Sequence, residues 1–247
     1  LSESYLSLSI DYDNHTRGKN KYDLSSLSLS KNASRNNIQL DVICQLYVIF
    51  KKELKLDKSY DLFNEIEMPL LKVLSKMEKE GIKLDVKLLN KYSDDLEKTL
   101  QETSKEIFNL SGSEFNISSP KQLGEVLFEQ MELVKKPKKT KSGQYSTSEE
   151  TLQKILGEHK VIQHILDYRE IKKLLSTYVN ALPIIAKPKT NRIHTTFNQS
   201  VAATGRLSSV RPNLQNIPIR TARGMKIREA FIAKDNCVLL AADYSQI

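Results

Sequence analysis

One carboxylate stands apart near the end of this chain. Asp243 follows the compact apolar run Val238–Ala242, so a short strand there would end on a single fixed negative charge able to hold a cation. Upstream, Ile171 to Arg228 form 58 consecutive residues with no Asp or Glu, yet they include 11 Lys or Arg. At the chain's acid content of 30 in 247, about seven acids would be expected there. The whole chain is +8, so this sector is +11 and the remainder sums to −3. A surface stripped of anions beside a cation-holding carboxylate suits a polyanion that is both gripped and worked on. The alternative is a basic solvated face without chemistry.

Within that sector, TGRLSSVRPNLQNIPIR (Thr204 to Arg220) gathers donors. It holds Arg206, Arg211 and Arg220 with Asn213, Gln215 and Asn216, and Asn198 lies close in sequence. Arginines and amides without acids can donate to the N3 and O2 acceptors of the DNA minor groove. Those acceptors are nearly the same for every base pair, so a protein reading them checks pair geometry without selecting sequence. The same composition also describes an Asn- and Pro-rich surface loop.

These residues need elements to hold them. A chain of 247 residues with 39% hydrophobic and 28% charged residues has the composition of a soluble globular protein of one or two domains. Its pI near 9.2 agrees with an anionic partner. No apolar run approaches a membrane span, and LSESYLSLSIDYD lacks the basic and apolar regions of a signal peptide. The first residue is Leu rather than Met, which points to a piece of a longer or processed chain. Cys44 and Cys237 are expected as core thiols in a reducing compartment. His15, His159, His164 and His194 show no zinc-ligand spacing.

Periodicity predicts a helix over Ile38–Leu56 and another over 60–80, with Pro69 kinking it and Gly81 ending it. Residues before about 36 are polar and weakly patterned. Asp85 should cap a long helix to about Leu110, and Ser119–Pro120 should start another running to Gln130. Lys135 to Lys141 (KKPKKTK) reads as an exposed basic loop. Thr147 with Glu150 forms a capping box for the next helix. A further helix is expected over Ile162–Leu182, ended by Pro183. Beyond it, strands are expected over Ile193–Gln199, Ala230–Ala233 and Cys237–Ala242, the last buried and central. The fold class is α+β and mostly α: a long helical arm leading into the first strands of an antiparallel sheet.

The run HTTFNQSVAATGRLSSVRPNLQNIPIR, with REAFIA and AADYSQI, resembles the start of the polymerase domain of the bacterial DNA polymerase I family (family A). FNEIEMPLLKVLSKMEKEGIKLD, EFNISSPKQLGEVLFEQ and STSEETL resemble its helical thumb. The likeness covers about Tyr60 to Ile247. It implies template-directed DNA synthesis at a primer 3′ end, with primer–template DNA and deoxynucleoside triphosphates as partners. It implies a monomer acting in the bacterial cytoplasm, with no membrane partner. Two magnesium ions would be bound in part by Asp243. The resemblance also implies that Arg206 reaches the minor groove at the primer terminus, and that Asn213, Gln215 and Asn216 hold template and primer there. Ser176 and Thr177 would touch the DNA backbone, with Lys138 and Lys139 near the thumb tip over the duplex. Arg220 and Tyr244 would lie close to the incoming nucleotide and template.

The sequence departs from the family pattern at both ends. After Ile247 the family continues with Glu, the fingers helix and a second metal-binding Asp. Aligning Asp41–Val42 on the family's Asp-Val places Arg35 and Gln39 at the Tyr and Asp positions of the proofreading motif, where neither can serve a metal site. The expected organisation is an exonuclease-like remnant over 1–57, a thumb over 58–183 and the beginning of a palm over 184–247. Rival readings are a non-catalytic DNA-binding protein derived from a polymerase, or a 3′–5′ exonuclease whose metal site precedes Leu1.

Overall fold

The computed structural model of this chain describes residues 1–8 and 28–245, apart from the side chains at 31 and 35. Two compact units emerge, Leu1–Ser75 and Lys76–Ile247.

In the first unit, α1 (Ser2–Leu6) packs on α2 (Leu29–Leu56), where the edge of one ring meets the other at 5.0 Å between the centroids of Tyr5 and Phe50. Helix α2 begins at Leu29, ahead of the expected Ile38. Ser, Lys and Asn carry no apolar period but are only mildly unfavourable in a helix, so the pattern conceals its start. Val42 and Leu46, one turn apart, are buried on it. Helix α3 (Met68–Glu80), whose residues 76–80 already belong to the second unit, follows a π-helical turn at Leu62–Glu67. Pro69 has no N–H to offer the Glu65 carbonyl, and the widened turn lies directly before it.

The second unit is built along one long helix. Strand β1 (Ile82–Leu84) leads to α4 (Val86–Ser111), whose first turn is capped by Asp85 Oδ1 accepting the Leu88 N–H at 3.0 Å. Gly112, at φ 70°, ends it. Twenty-six residues span about 39 Å, enough to cross two separate cores. Helix α5 (Pro120–Glu125) starts at the expected Ser119 cap and passes into a π turn at Val126–Gln130. The cap of α6 (Glu149–Lys154) is Ser148, whose Oγ accepts the Thr151 N–H, and not Thr147. Thr147 is buried instead, and its carbonyl and hydroxyl both accept from Arg169.

The helix expected over Ile162–Leu182 is three pieces: α7 (Lys160–Leu174), a π turn (Leu175–Val179) and α8 (Ala181–Ile185). Pro183 lies inside α8 rather than ending a helix. In a first turn the missing N–H has no intrahelical acceptor to lose. Antiparallel to α4, α7 shares both its cores. Near the base, Leu89, Tyr92 and Leu96 pack with Ile171, Leu174, Tyr178 and Ile227. Near the tip, Ile107 packs with Leu123, Leu127, Leu152, Ile162 and Ile165.

The strand expected over Ile193–Gln199 is divided between two sheets. Strand β2 (Arg192–Ile193) pairs antiparallel with β1, whose other edge pairs with β5 (Phe231–Ile232). Strand β3 (Thr196–Asn198) instead forms a two-stranded ribbon with β4 (Ser208–Val210), with Phe197 opposite Ser209. Helix α9 (Ala222–Arg228) connects the ribbon's loop to β5.

The buried central strand expected over Cys237–Ala242 is not formed. Val238 and Leu240 are 87% and 90% exposed, and Cys44 and Cys237 are both exposed rather than core thiols. A strand needs a ladder partner and a covered face, and among the described residues nothing pairs with this run. The chain is α+β and mostly helical, with small antiparallel sheets.

Candidate nucleic-acid interface

The donor-rich segment is shaped from beneath by two buried hydroxyls. Thr195 Oγ1 lies 2.7 Å from Ser209 Oγ and within donating reach of the Val210 and Pro212 carbonyls at 3.1 and 2.8 Å. Ser209, fully buried, also accepts the Leu214 N–H at 3.2 Å. Above them, Asn213 Oδ1 accepts the N–H groups of Gln215 and Asn216 at 3.0 and 3.2 Å, an Asx turn that reverses the chain. Gln215 reaches back across the loop: its Oε1 accepts the Ser209 N–H at 3.1 Å and its Nε2 donates to the Leu207 carbonyl at 2.9 Å. Two of the amides expected to hold template and primer therefore brace the loop itself. Arg206, Arg211, Asn216 and Arg220 stand exposed on its outside.

The loop is also tied to the helical arm. The Tyr178 phenol donates to the Asn216 carbonyl at 2.5 Å. This fixes the π turn carrying exposed Ser176 and Thr177 beside the loop. Ser176 Oγ donates to the Lys173 carbonyl at 3.4 Å.

The basic sector sorts into structural and outward cations. Arg223 Nη1 meets Asp167 at 3.0 Å and Glu170 at 2.7 Å, joining α9 to α7. Burial works against the Arg223 charge, but those two carboxylates more than offset it and hold the guanidinium above its ordinary range. Arg192 pairs with Glu80 at 3.1 Å and donates to the Gly81 carbonyl. Lys226 lies over the Tyr92 ring at 4.9 Å. Among the described residues, Lys173, Lys187, Lys189, Arg206, Arg211, Arg220 and Arg228 form no ion pair. These leave a field of positive charge without internal neutralisation.

The second basic feature sits on the tip core. KKPKKTK is not wholly irregular: Lys139 bridges Tyr145 across the turn at 140–144, and Lys139 Nζ lies 5.0 Å from the Tyr145 ring centre. A hydrogen bond to the Glu129 carboxylate pushes the Tyr145 phenol above its usual range. Arg169 holds the base of this turn through Thr147, and burial lowers its pKa. Lys138 and Lys139 are thus presented on a braced turn, but on a different core from Arg206. The roles of Arg169 and Thr195 carry no signal in sequence spacing, because Arg169 acts on Thr147 and Thr195 on Ser209, 22 and 14 residues away along the chain.

Asp243 and Tyr244 are exposed on an extended segment outside any ladder. Among the described residues, no group of three or more His, Cys, Asp or Glu stands close enough to hold an ion. Asp243 can contribute one ligand to such a site but does not make one. Gln39 is half-buried on α2; the side chain of Arg35 lies outside the described part of the structure. No described helix is long and apolar enough to cross a membrane.

The model of DNA polymerase family A matches residues 86–247. This chain belongs to DNA polymerase family A. It is 48% identical over 186 residues to the thermostable DNA polymerase I of Thermus filiformis, covering 75% of this chain and 22% of that protein. It is likewise 48% identical over 196 residues to DNA polymerase I of Geobacillus stearothermophilus, covering 79% and 22%. Among solved structures it is similar to the Pol1 polymerase domain of M. smegmatis, solved in complex with DNA primer-template and dNTP. The TM-score is 0.71 at 38% identity, covering 78% of this chain and 34% of that one. The chain therefore spans about a fifth of the length of the curated family-A relatives it matches.

Proposed function

We propose that this chain is the primer–template-gripping part of a bacterial DNA polymerase I that adds deoxynucleotides to a primer 3′ end. The observation that carries the reading is the braced loop with Arg206, Arg211, Asn216 and Arg220 exposed. It stands in an acid-free sector of a chain nearly half identical to DNA polymerase I enzymes. Residues 58–183 act as the thumb and 184–247 as the opening of the palm, with 1–57 an exonuclease-like remnant. The exposed arginines and Asn216 donate to the minor groove and phosphates, Ser176 and Thr177 meet the backbone, and Lys138 and Lys139 meet the duplex farther out. Asn213 and Gln215 act mainly by holding the loop's shape, a narrower role than direct contact. Arg220 and Tyr244 lie towards template and nucleotide. The enzyme acts as a monomer in the bacterial cytoplasm.

Magnesium, when bound, supplies positive charge against the phosphates of the transferred nucleotide. Asp243 would be one of its ligands, with further ligands outside this chain. The test uses the full-length gene product with Asp243→Asn, which keeps the side chain's shape and removes its charge. Primer extension should fall below about 1% of wild type, while primer–template affinity stays within about twofold. A variant that still extends primers at a tenth of the wild-type rate would remove Asp243 from the metal site. A wild-type protein that binds duplex but never extends it would favour the non-catalytic reading.

A further inference from the structure

The ribbon β3–β4 carries Arg206 in its connecting loop, yet it has only two strands. Both outer edges must therefore find partners elsewhere. Phe197 and Ser209 face each other across it. In an antiparallel pair, such opposed residues either exchange both hydrogen bonds or turn both N–H groups outward. Here both turn outward, and each is met by a side-chain oxygen. Gln215 Oε1 accepts from Ser209 at 3.1 Å, and Glu78 Oε1 accepts from Phe197 at 2.7 Å. The bond to Glu78 is the shorter, as expected for an ionised acceptor.

Glu78 is itself fixed. It lies in the last turn of α3, and its backbone carbonyl is 2.8 Å from His194 Nδ1. Because a carbonyl only accepts, that ring nitrogen must carry the proton. Gly81 follows at φ 65°, where an added Cβ would lie 2.5 Å from the Ile193 carbonyl oxygen. Only glycine lets the end of α3 approach the β2–β3 connection this closely. Arg192 adds bonds to the Glu80 and Gly81 carbonyls at 3.2 and 2.8 Å. The end of α3 thus forms a platform, and the Glu78 carboxylate is its one contact to the ribbon's outer edge among the bonds described.

We propose that Glu78 is a positioning residue: with Gln215 on the opposite edge, it clamps the β3–β4 ribbon and thereby aims the Arg206 loop at the primer terminus. The aim of the loop rests on the polymerase reading above; the clamp itself does not. Glu78 touches neither DNA nor nucleotide, and it acts through Phe197 and the ribbon.

The experiment uses the full-length gene product with Glu78→Ala and Glu78→Gln, each also combined with Arg206→Ala, after thermal melting has confirmed folding. Amide hydrogen exchange without DNA reads the clamp directly. Exchange at Phe197 should quicken about tenfold in Glu78→Ala, the loss of one charge-assisted bond. In Glu78→Gln, which keeps an acceptor, it should stay near wild type. With primer–template, Glu78→Ala should raise the KM for DNA about tenfold. It should leave kcat within about twofold and have little further effect once Arg206 is Ala. Unchanged exchange at Phe197 in Glu78→Ala overturns the clamp. Altered exchange with an equal KM penalty in both Arg206 backgrounds overturns the aiming of Arg206. If the wild type binds no primer–template, the polymerase reading and the aiming fall together, and the exchange result still decides the clamp.

Discussion

Two arginines of one sector do opposite work. Arg206 is exposed and free of any carboxylate among the described residues, whereas Arg223 is held by Asp167 and Glu170. Only a cation that displaces counterions from phosphates contributes to the salt dependence of DNA binding. Arg206→Ala in the full-length protein should therefore weaken primer–template binding and reduce the slope of log K against log salt by about one. Arg223→Ala should leave that slope unchanged and lower folding stability by about 1–2 kcal/mol, because two half-buried carboxylates lose their partner. Fluorescence anisotropy across a salt series, beside urea melts, separates the two. Equal slopes for Arg206→Ala and wild type would mean that Arg206 does not meet the nucleic acid.

Among the elements, the helix caps show how local chemistry competes with tertiary demand. Thr147–Glu150 satisfies the capping-box pattern, yet Ser148 caps α6. Arg169 needs acceptors in a half-buried place, and Thr147 supplies both its carbonyl and its hydroxyl. Leaving a buried guanidinium unpaired costs more than shifting a cap by one residue. Ser148→Ala should accordingly destabilise the protein by about 1 kcal/mol. Thr147→Val should act elsewhere: it removes one Arg169 acceptor and loosens the turn that presents Lys138 and Lys139. Denaturation midpoints for both variants, with hydrogen exchange over residues 138–155, check this. A larger loss of α6 protection in Thr147→Val than in Ser148→Ala would restore the capping box.

At the scale of the whole molecule, charge and architecture divide the labour. The long pair α4 and α7 joins two cores, one beneath the Arg206 loop and one beneath the Lys139 turn. Both present cations on braced backbone rather than on free loops. Primer–template binding should weaken steeply with salt and show no preference among duplex sequences, since the exposed donors suit phosphates and minor-groove acceptors. A strong preference for one sequence in competition binding would contradict that. If Arg35 and Gln39 occupy the former Tyr and Asp positions, the full-length enzyme should lack 3′–5′ exonuclease activity. A mismatched 3′ end should survive incubation with magnesium and no nucleotides. Stepwise shortening of that primer would show the alignment over 1–57 to be wrong.

Local rules were legible in the sequence at several caps and stops, where a residue acts on its neighbours. The Asp85 and Ser119 caps and the Gly81 stop follow from interactions spanning a few residues. So did the acid-free sector, since charge is a property of composition. Tertiary structure alone decided which donors point outward. Asn213 and Gln215 stay exposed, and in addition an Asx turn and the Ser209 edge N–H claim their respective carbonyl oxygens. It also decided that Ile193 and Thr196 belong to different sheets, and that Val238–Leu240 stays exposed. Apolar pattern states what a segment would bury; only the chain around it supplies the partner that permits burial.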